Sequence, residues 1–497
     1  MTGPGRPAGY SRRSVPLGGT RLSRGAACPT PFLQAEYRRW TLEATIFTFA
    51  SPTVAAVAPG FALAGLRGGP IVVTDDGRGI AAQVVRRLAV AGITAGVHAT
   101  VPPDAHGVIH LGGLADLTSF DSALAVQRDA FNVAQAVAPR FSRSGGVFVT
   151  VQDTGGDFGT SGRCPDRAQL GEIATLTRTA AREWPATSVK AIDCERGNRT
   201  SAAVADAIVQ ELLGGGPAQA VGLRADGTRT TAETDGAPMD APKGEVYLAA
   251  TSHPYLADHA ISGTLVVPVA MVLEWLTGAA RAWLPEPGPA VIRNVRVLRR
   301  IAVERYRSVG DGLTVQGIRG PGGQVLLELL GNGDARHYRA TACHSADVAP
   351  AGWAVPTDLK PVWPDVYDGW MLFHGPQFQV IQEVHGISES GAAAVLTGGG
   401  DRGWNHATWH TDPAAVDGGL QVAVLWAKQV LGCATLPMGV AEYRTFSTGL
   451  YNGPTRCVVR ARDVWSGGAE CDIGYLAEDG TVRAELFGVS LVPRPPG

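Results

Sequence analysis

From Gly69 to about Gly222, short apolar runs alternate with stretches whose apolar residues recur at helical spacing. PIVVT (70–74) predicts a short buried strand and IAAQVVRRLAVAG (80–92) an amphipathic helix. GVIHLGGL, a helix near 120–138, GVFVTV, a helix near 168–183 and SVKAID follow in order. Strand–helix alternation of this kind predicts a parallel, doubly wound α/β sheet over residues 66–230.

The pattern then breaks. ADGTRTTAETDGAPMDAPKG (225–244) is polar and Gly/Pro-containing, and 231–244 is read as a linker. Beyond it, an apolar helical stretch at 269–284 precedes alternating runs such as RNVRVLRRIAV and QVLLELLG. A second helix near 413–431 is followed by TRCVVRARDVW, ECDIGYLA and TVRAELFGVSLV. Two successive units, 245–350 and 351–497, thus each combine one helix with several antiparallel strands, an α+β pattern. Residues 1–65 carry little periodicity; their Gly/Pro/Arg-rich start reads as linker or disorder, with FLQAEYRRWTLEATIF able to pack on the parallel-sheet unit after it.

Composition narrows the function classes. A formal net charge of −2 gives no electrostatic reason to expect a nucleic acid or membrane partner. Seven scattered cysteines without a C-x-x-C pair argue against a disulfide framework or a zinc site, and no apolar run is long enough to span a bilayer. The expectation is a cytoplasmic protein.

Candidate chemistry in the first unit is thin. TDDGRGIA (74–81) supplies Gly77 and Gly79 for a phosphate-binding turn, but Asp75 and Asp76 stand where an anion would approach. VIHLGGL, FVTV and TAAREWPATSVKAIDCE resemble the ketoreductase domain of polyketide synthases, a Rossmann-like short-chain dehydrogenase, particularly in polyunsaturated-fatty-acid and enediyne synthases. That family's reduction uses a tyrosine, a serine and a lysine. No tyrosine lies between Tyr37 and Tyr247, and Lys190 falls inside a strand-like run. General acid catalysis needs a held proton, so this unit is expected to be an inactive scaffold. NADPH is the cofactor that the ketoreductase resemblance would imply, and the two aspartates argue against its binding.

The second half is richer. HPYLADHAISGTLVVP (253–268) sets His259, Gly263 and Pro268 in an H-x3-G-x4-P spacing before the helix. TDPAAVDGGLQVAVLW (411–426) places Asp417 and Gln421 four residues apart, on one helical face. Alone, a histidine before a helix is usually a packing residue, and Asp412 fits a helix cap better than Asp417 does. Together with MLFHGPQFQVI (371–381) and LPMGVAEYRTF (436–446), in this order, the run resembles the dehydratase domain of polyketide and fatty acid synthases. His374 stands where that family usually has tyrosine, and Val269 where a glycine commonly follows the proline.

The resemblance implies a double hotdog fold, each half wrapping an antiparallel sheet around one helix. It implies His259 and Asp417 as catalytic base and acid that remove water from a 3-hydroxyacyl thioester. It also implies Gly263, Pro268, His374, Gly375, Pro376 and Gln421 on the substrate side, with the Gly263 N–H in tight approach to the thioester carbonyl. No cofactor is needed, and His406 and His410 lack metal-type spacing with a carboxylate. The implied partners are an acyl carrier protein bearing the intermediate and other synthase domains, with a homodimer left open. Rival readings are a cyclase or double-bond isomerase of the same fold, and a non-catalytic synthase scaffold.

Overall fold

A computed structural model of the chain describes residues 53–232, 242–284, 289–344, 349–362, 366–367, 372–404 and 408–494. The N-terminal segment before Thr53, including FLQAEYRRWTLEATIF, most of the 231–244 linker, and His406 lie outside them. Among the described residues no helix is long and apolar enough to cross a membrane.

Six parallel strands form the first sheet in the spatial order Ala95–His98, Ile71–Thr74, Gly107–Gly113, Gly146–Gln152, Thr187–Cys194 and Ala220–Leu223. Their side chains alternate between two cores, as a pleated strand covered on both faces requires. Val73, Ile109 and Val149 meet helices α1 (Ile80–Val90) and α4 (Ser201–Gly214). Val72, Val108 and Phe148 meet α2 (Phe120–Ser144) and α3 (Gly171–Glu183). Arg229–Ala232 and Thr53–Ala55 extend this sheet antiparallel.

Among the described residues the second sheet has 12 strands, all but Ala62–Leu63 from the remaining chain, and it is continuous across both halves of that chain. Ala290–Val297, from the first half, pairs antiparallel with Thr435–Thr445, from the second. Inside it run α5 (Val269–Trp283) and α6 (Pro413–Leu431), which also touch each other. Every residue of α6 from Pro413 to Ala427 is buried, as is α5 from Ala270 to Ala280. Both helices are apolar almost all round, the pattern of an enclosed helix. Gly418 and Gly419 let α6 press onto the sheet, since a Cβ on Gly419 would stand 2.2 Å from the Tyr475 hydroxyl. This arrangement is the double hotdog.

One boundary is corrected. Residues 53–65 do not form a loose linker: Ala62–Leu63 pairs with Lys243–Leu248 at the edge of the second sheet, and Thr53–Ala55 joins the first. Phe61, between these strands, is 1% exposed and packs edge-on against Trp283. Both sheet edges thereby gain partners for backbone groups that would otherwise face solvent.

Candidate active site

His259 ends a 3-10 turn, Pro254–Asp258, and leads into a two-residue hairpin, Ala260–Ile261 with Thr264–Leu265. Ser262 and Gly263 both have positive φ, the condition for a tight hairpin turn. The hairpin brings Val266 back beside His259: the Val266 N–H donates to the His259 carbonyl, and His259 Nδ1 lies 2.6 Å from the Val266 carbonyl oxygen. A carbonyl only accepts, so Nδ1 carries the proton and Nε2 keeps a lone pair. Burial pushes the imidazole below its ordinary pKa, against the attraction of Asp417.

Asp417 and Gln421 lie one turn apart on α6, and both are buried. The Gln421 amide is oriented by the Tyr367 hydroxyl, which donates to its Oε1 at 2.8 Å. Its Nε2 then donates to Asp417 Oδ2 at 2.8 Å and to the Phe378 carbonyl at 2.9 Å. Oδ1 has no hydrogen bond among the described residues. Burial raises the Asp417 pKa, only partly opposed by His259 and the Gln421 bond, which shifts the group toward the neutral acid.

His374 completes the group. Its Nε2 is 3.4 Å from Asp417 Oδ2, its ring stacks on Phe373 at 4.2 Å, and burial together with His259 holds it neutral, far below the usual imidazole range. A donor atom from each of His259, His374 and Asp417 lies within 4.8 Å of the other two, a grouping also able to hold a metal ion. Three distant segments converge here because Asp258 ties two of them: the Gly375 N–H donates to its carbonyl and the Gln377 N–H to its carboxylate. Gly375 is needed for that approach, since a Cβ there would stand 2.8 Å from the Asp258 side chain.

The structure therefore gathers His259, His374, Asp417 and Gln421. Gly263 lies exposed in the hairpin turn, where an added Cβ would meet nothing within 4 Å. Its φ of 80° is a conformation that favours glycine. Pro268 caps α5 with its carbonyl, and the exposed Pro376 directs its carbonyl to Arg402. Asp412 is a helix cap, accepting from the Ala415 N–H. Sequence reasoning missed Asp258, Tyr367 and Phe373; Asp258 and Phe373 each stood next to a motif residue, His259 and His374, and no periodicity marked any of the three.

The first sheet presents a different picture at the carboxyl ends of its strands. Asp76 is buried and accepts from the N–H groups of Ala81 and Arg78, so a carboxylate of the chain itself sits on the N-terminus of α1. Arg167 donates to the carbonyls of Gly113, Ala115 and Asp153, and Arg196 to the Leu114 carbonyl and the Asp153 carboxylate. Lys190 is fully buried and paired with Glu211 at 2.6 Å.

Comparison with known proteins bears on the second sheet. A family model described as polyketide synthase dehydratase domain matches residues 238–317, and one described as polyketide synthase dehydratase N-terminal domain matches 348–495. A curated relative, one of the subunits of the polyunsaturated fatty acid synthase of Thraustochytrium sp., is 28% identical over 208 residues, 39% of this chain. The match spans 7% of that protein's length. Among solved structures, the dehydratase domain of a mycocerosic acid synthase-like polyketide synthase is 18% identical, with a TM-score of 0.43 over 52% of this chain and 93% of that one. The dehydratase domain from the CurF module of curacin polyketide synthase is 14% identical, with a TM-score of 0.42 over 53% and 97%. The C-terminal half of the chain contains a polyketide synthase dehydratase domain.

Proposed function

We propose that this domain removes water from a 3-hydroxyacyl thioester carried on an acyl carrier protein, giving the 2-enoyl thioester. The observation that carries the reading is a buried imidazole with one nitrogen committed to a carbonyl and the other free, set beside a buried carboxyl group. The α-proton is weakly acidic and hydroxide is a poor leaving group, so the reaction needs a neutral base and a proton donor together. His259 Nε2 takes the α-proton as the C–O bond breaks. Asp417, protonated on Oδ1, gives its proton to the departing hydroxyl, and water leaves. Transfer of the proton from His259 to Asp417 restores the starting state. The step needs no nucleotide.

The parallel-sheet unit is, in this reading, a ketoreductase-like Rossmann domain of about 66–230 kept as a scaffold. Its support is the Asp76 carboxylate on the α1 amides, the arginines across the strand ends, and a lysine consumed by an internal ion pair. The carrier protein and other synthase domains are the partners the reaction requires. The test is the intact mass of a carrier protein loaded with a 3-hydroxyacyl group, incubated without nucleotide. Loss of one water with the native protein, and none with His259→Ala or Asp417→Asn, is expected. No loss of water with any form, and no hydration of the enoyl product, would sink the reading.

A further inference from the structure

We propose that His259, His374 and Asp417 form a site for one divalent transition-metal ion of the Zn2+ class, and that occupancy switches the dehydratase off. The regulatory part rests on the function proposed above; the site itself does not.

Two imidazoles and a carboxylate are the donors that borderline ions prefer, while Mg2+ and Ca2+ favour all-oxygen sets. Zinc bonds of about 2.0–2.2 Å in a tetrahedral arrangement place donors about 3.4 Å apart. His374 Nε2 and Asp417 Oδ2 are already separated by 3.4 Å. The third donor, from His259, lies within 4.8 Å of both, so a shift of little more than an ångström closes the set. The surroundings have the outer-shell form of metal centres. His259 Nδ1 is anchored on the Val266 carbonyl, turning Nε2 toward the cluster, and Gln421 holds the Asp417 carboxylate. Nothing else among the described residues bonds His374 Nε2. The three residues are 6%, 8% and 4% exposed, so an ion there would be enclosed by protein, with a fourth position left open.

Binding is balanced by one proton: Asp417 releases it to solvent and coordinates as carboxylate. The ion thereby takes the lone pair of the base and the proton of the acid together.

The experiment uses the full chain, free of affinity tag and stripped with a chelator. Co2+ is followed by its visible absorption, and Zn2+ by displacement of Co2+ against a chromogenic chelator. One ion per chain is expected. Affinity should fall by more than the about hundredfold that loss of an outer-shell partner costs in both His374→Phe and Asp417→Asn, and stay unchanged in the surface variant His385→Ala. Thermal unfolding confirms that each variant is folded. In the native protein the dehydration rate should fall in step with Zn2+ occupancy. Dehydration with no ion bound at any concentration, or binding unaltered in both variants, overturns the site and leaves the dehydratase reading intact. Binding without loss of rate overturns the switch. Binding lost in both variants of a chain that never dehydrates supports the site and removes the function proposed above.

Discussion

Gln421 Nε2 donates to Asp417 Oδ2 at 2.8 Å, and the Tyr367 hydroxyl fixes which end of the Gln421 amide faces the carboxyl group. This one-turn relationship assigns the two Asp417 oxygens different tasks. Oδ2 accepts, so the acid proton belongs on Oδ1, where no protein acceptor competes for it among the described residues. Replacing Gln421 with Leu removes the donor while keeping most of the volume. We expect kcat to fall about tenfold to hundredfold, the scale of an orphaned buried acceptor, with KM changing less. Tyr367→Phe should lower kcat less, because the amide remains and loses only its orientation. Steady-state kinetics of the two variants checks the order; a larger effect from Tyr367→Phe would contradict it.

Gly375 offers a second test. Its backbone passes so close to Asp258 that a methyl group must displace one of them. Gly375→Ala should cost about 1–3 kcal/mol, as other forced overpacking does, measured by denaturant unfolding. It should also lower kcat, since Asp258 precedes His259 and Gly375 follows His374. An unchanged rate would mean that the Asp258 link does not set the spacing of the two imidazoles.

These two links show what could and could not be read along the chain. The enclosed helices were visible in the sequence because each is apolar almost all round, and α6 runs from Pro413 to Leu431 as its pattern predicts. His259, Asp417 and Gln421 were visible because their spacing is local. The contact of Asp258 with Gly375 spans 117 positions and leaves no periodic trace. The strand at Ala62–Leu63 was missed because two residues carry no alternation. The grouping of His259, His374 and Asp417 escaped spacing rules, which look for metal donors within one segment.

Lys190 and Arg229 both bind Glu211, and the ion group has one positive charge in excess. Lys190→Met removes the most deeply buried cation and leaves a neutral Arg229–Glu211 pair, so stability should change by no more than about 1 kcal/mol. Glu211→Gln leaves a buried ammonium without a counterion and should cost about 3–5 kcal/mol. Chemical denaturation of both variants decides the matter. Equal losses would mean that the group acts as an indivisible unit.

The first sheet should not bind a dinucleotide. A pyrophosphate would have to displace Asp76 from the α1 amides and pass the Arg167 and Arg196 contacts. No change in NADPH fluorescence is expected at any practical concentration. Asp76→Ala should destabilise the chain by about 0.5–2 kcal/mol, as loss of a helix cap does, without creating affinity. Saturable NADPH binding by the native protein would overturn this.

Glu274 on α5 accepts from the N–H groups of His410 and Thr411 and from the Thr411 hydroxyl, so it fastens one hotdog helix to the approach of the other. Burial raises its pKa to about 7, outweighing the Thr411 and His410 donors and Arg281. In the unfolded chain the group titrates near the ordinary glutamate value of about 4.3. Between these values the folded state holds more protons than the unfolded state. The linkage sign then makes stability fall as pH rises across this window, with the contribution fully present below it and gone above about 7. Glu274→Gln cannot ionise and should flatten that part of the profile, whatever it costs at a single pH. Unfolding free energies of native and variant protein at about pH 5 and about pH 8 measure the difference in slope. A native profile as flat as that of Glu274→Gln would show that Glu274 is already ionised in the folded state at the lower pH, with its three donors outweighing burial.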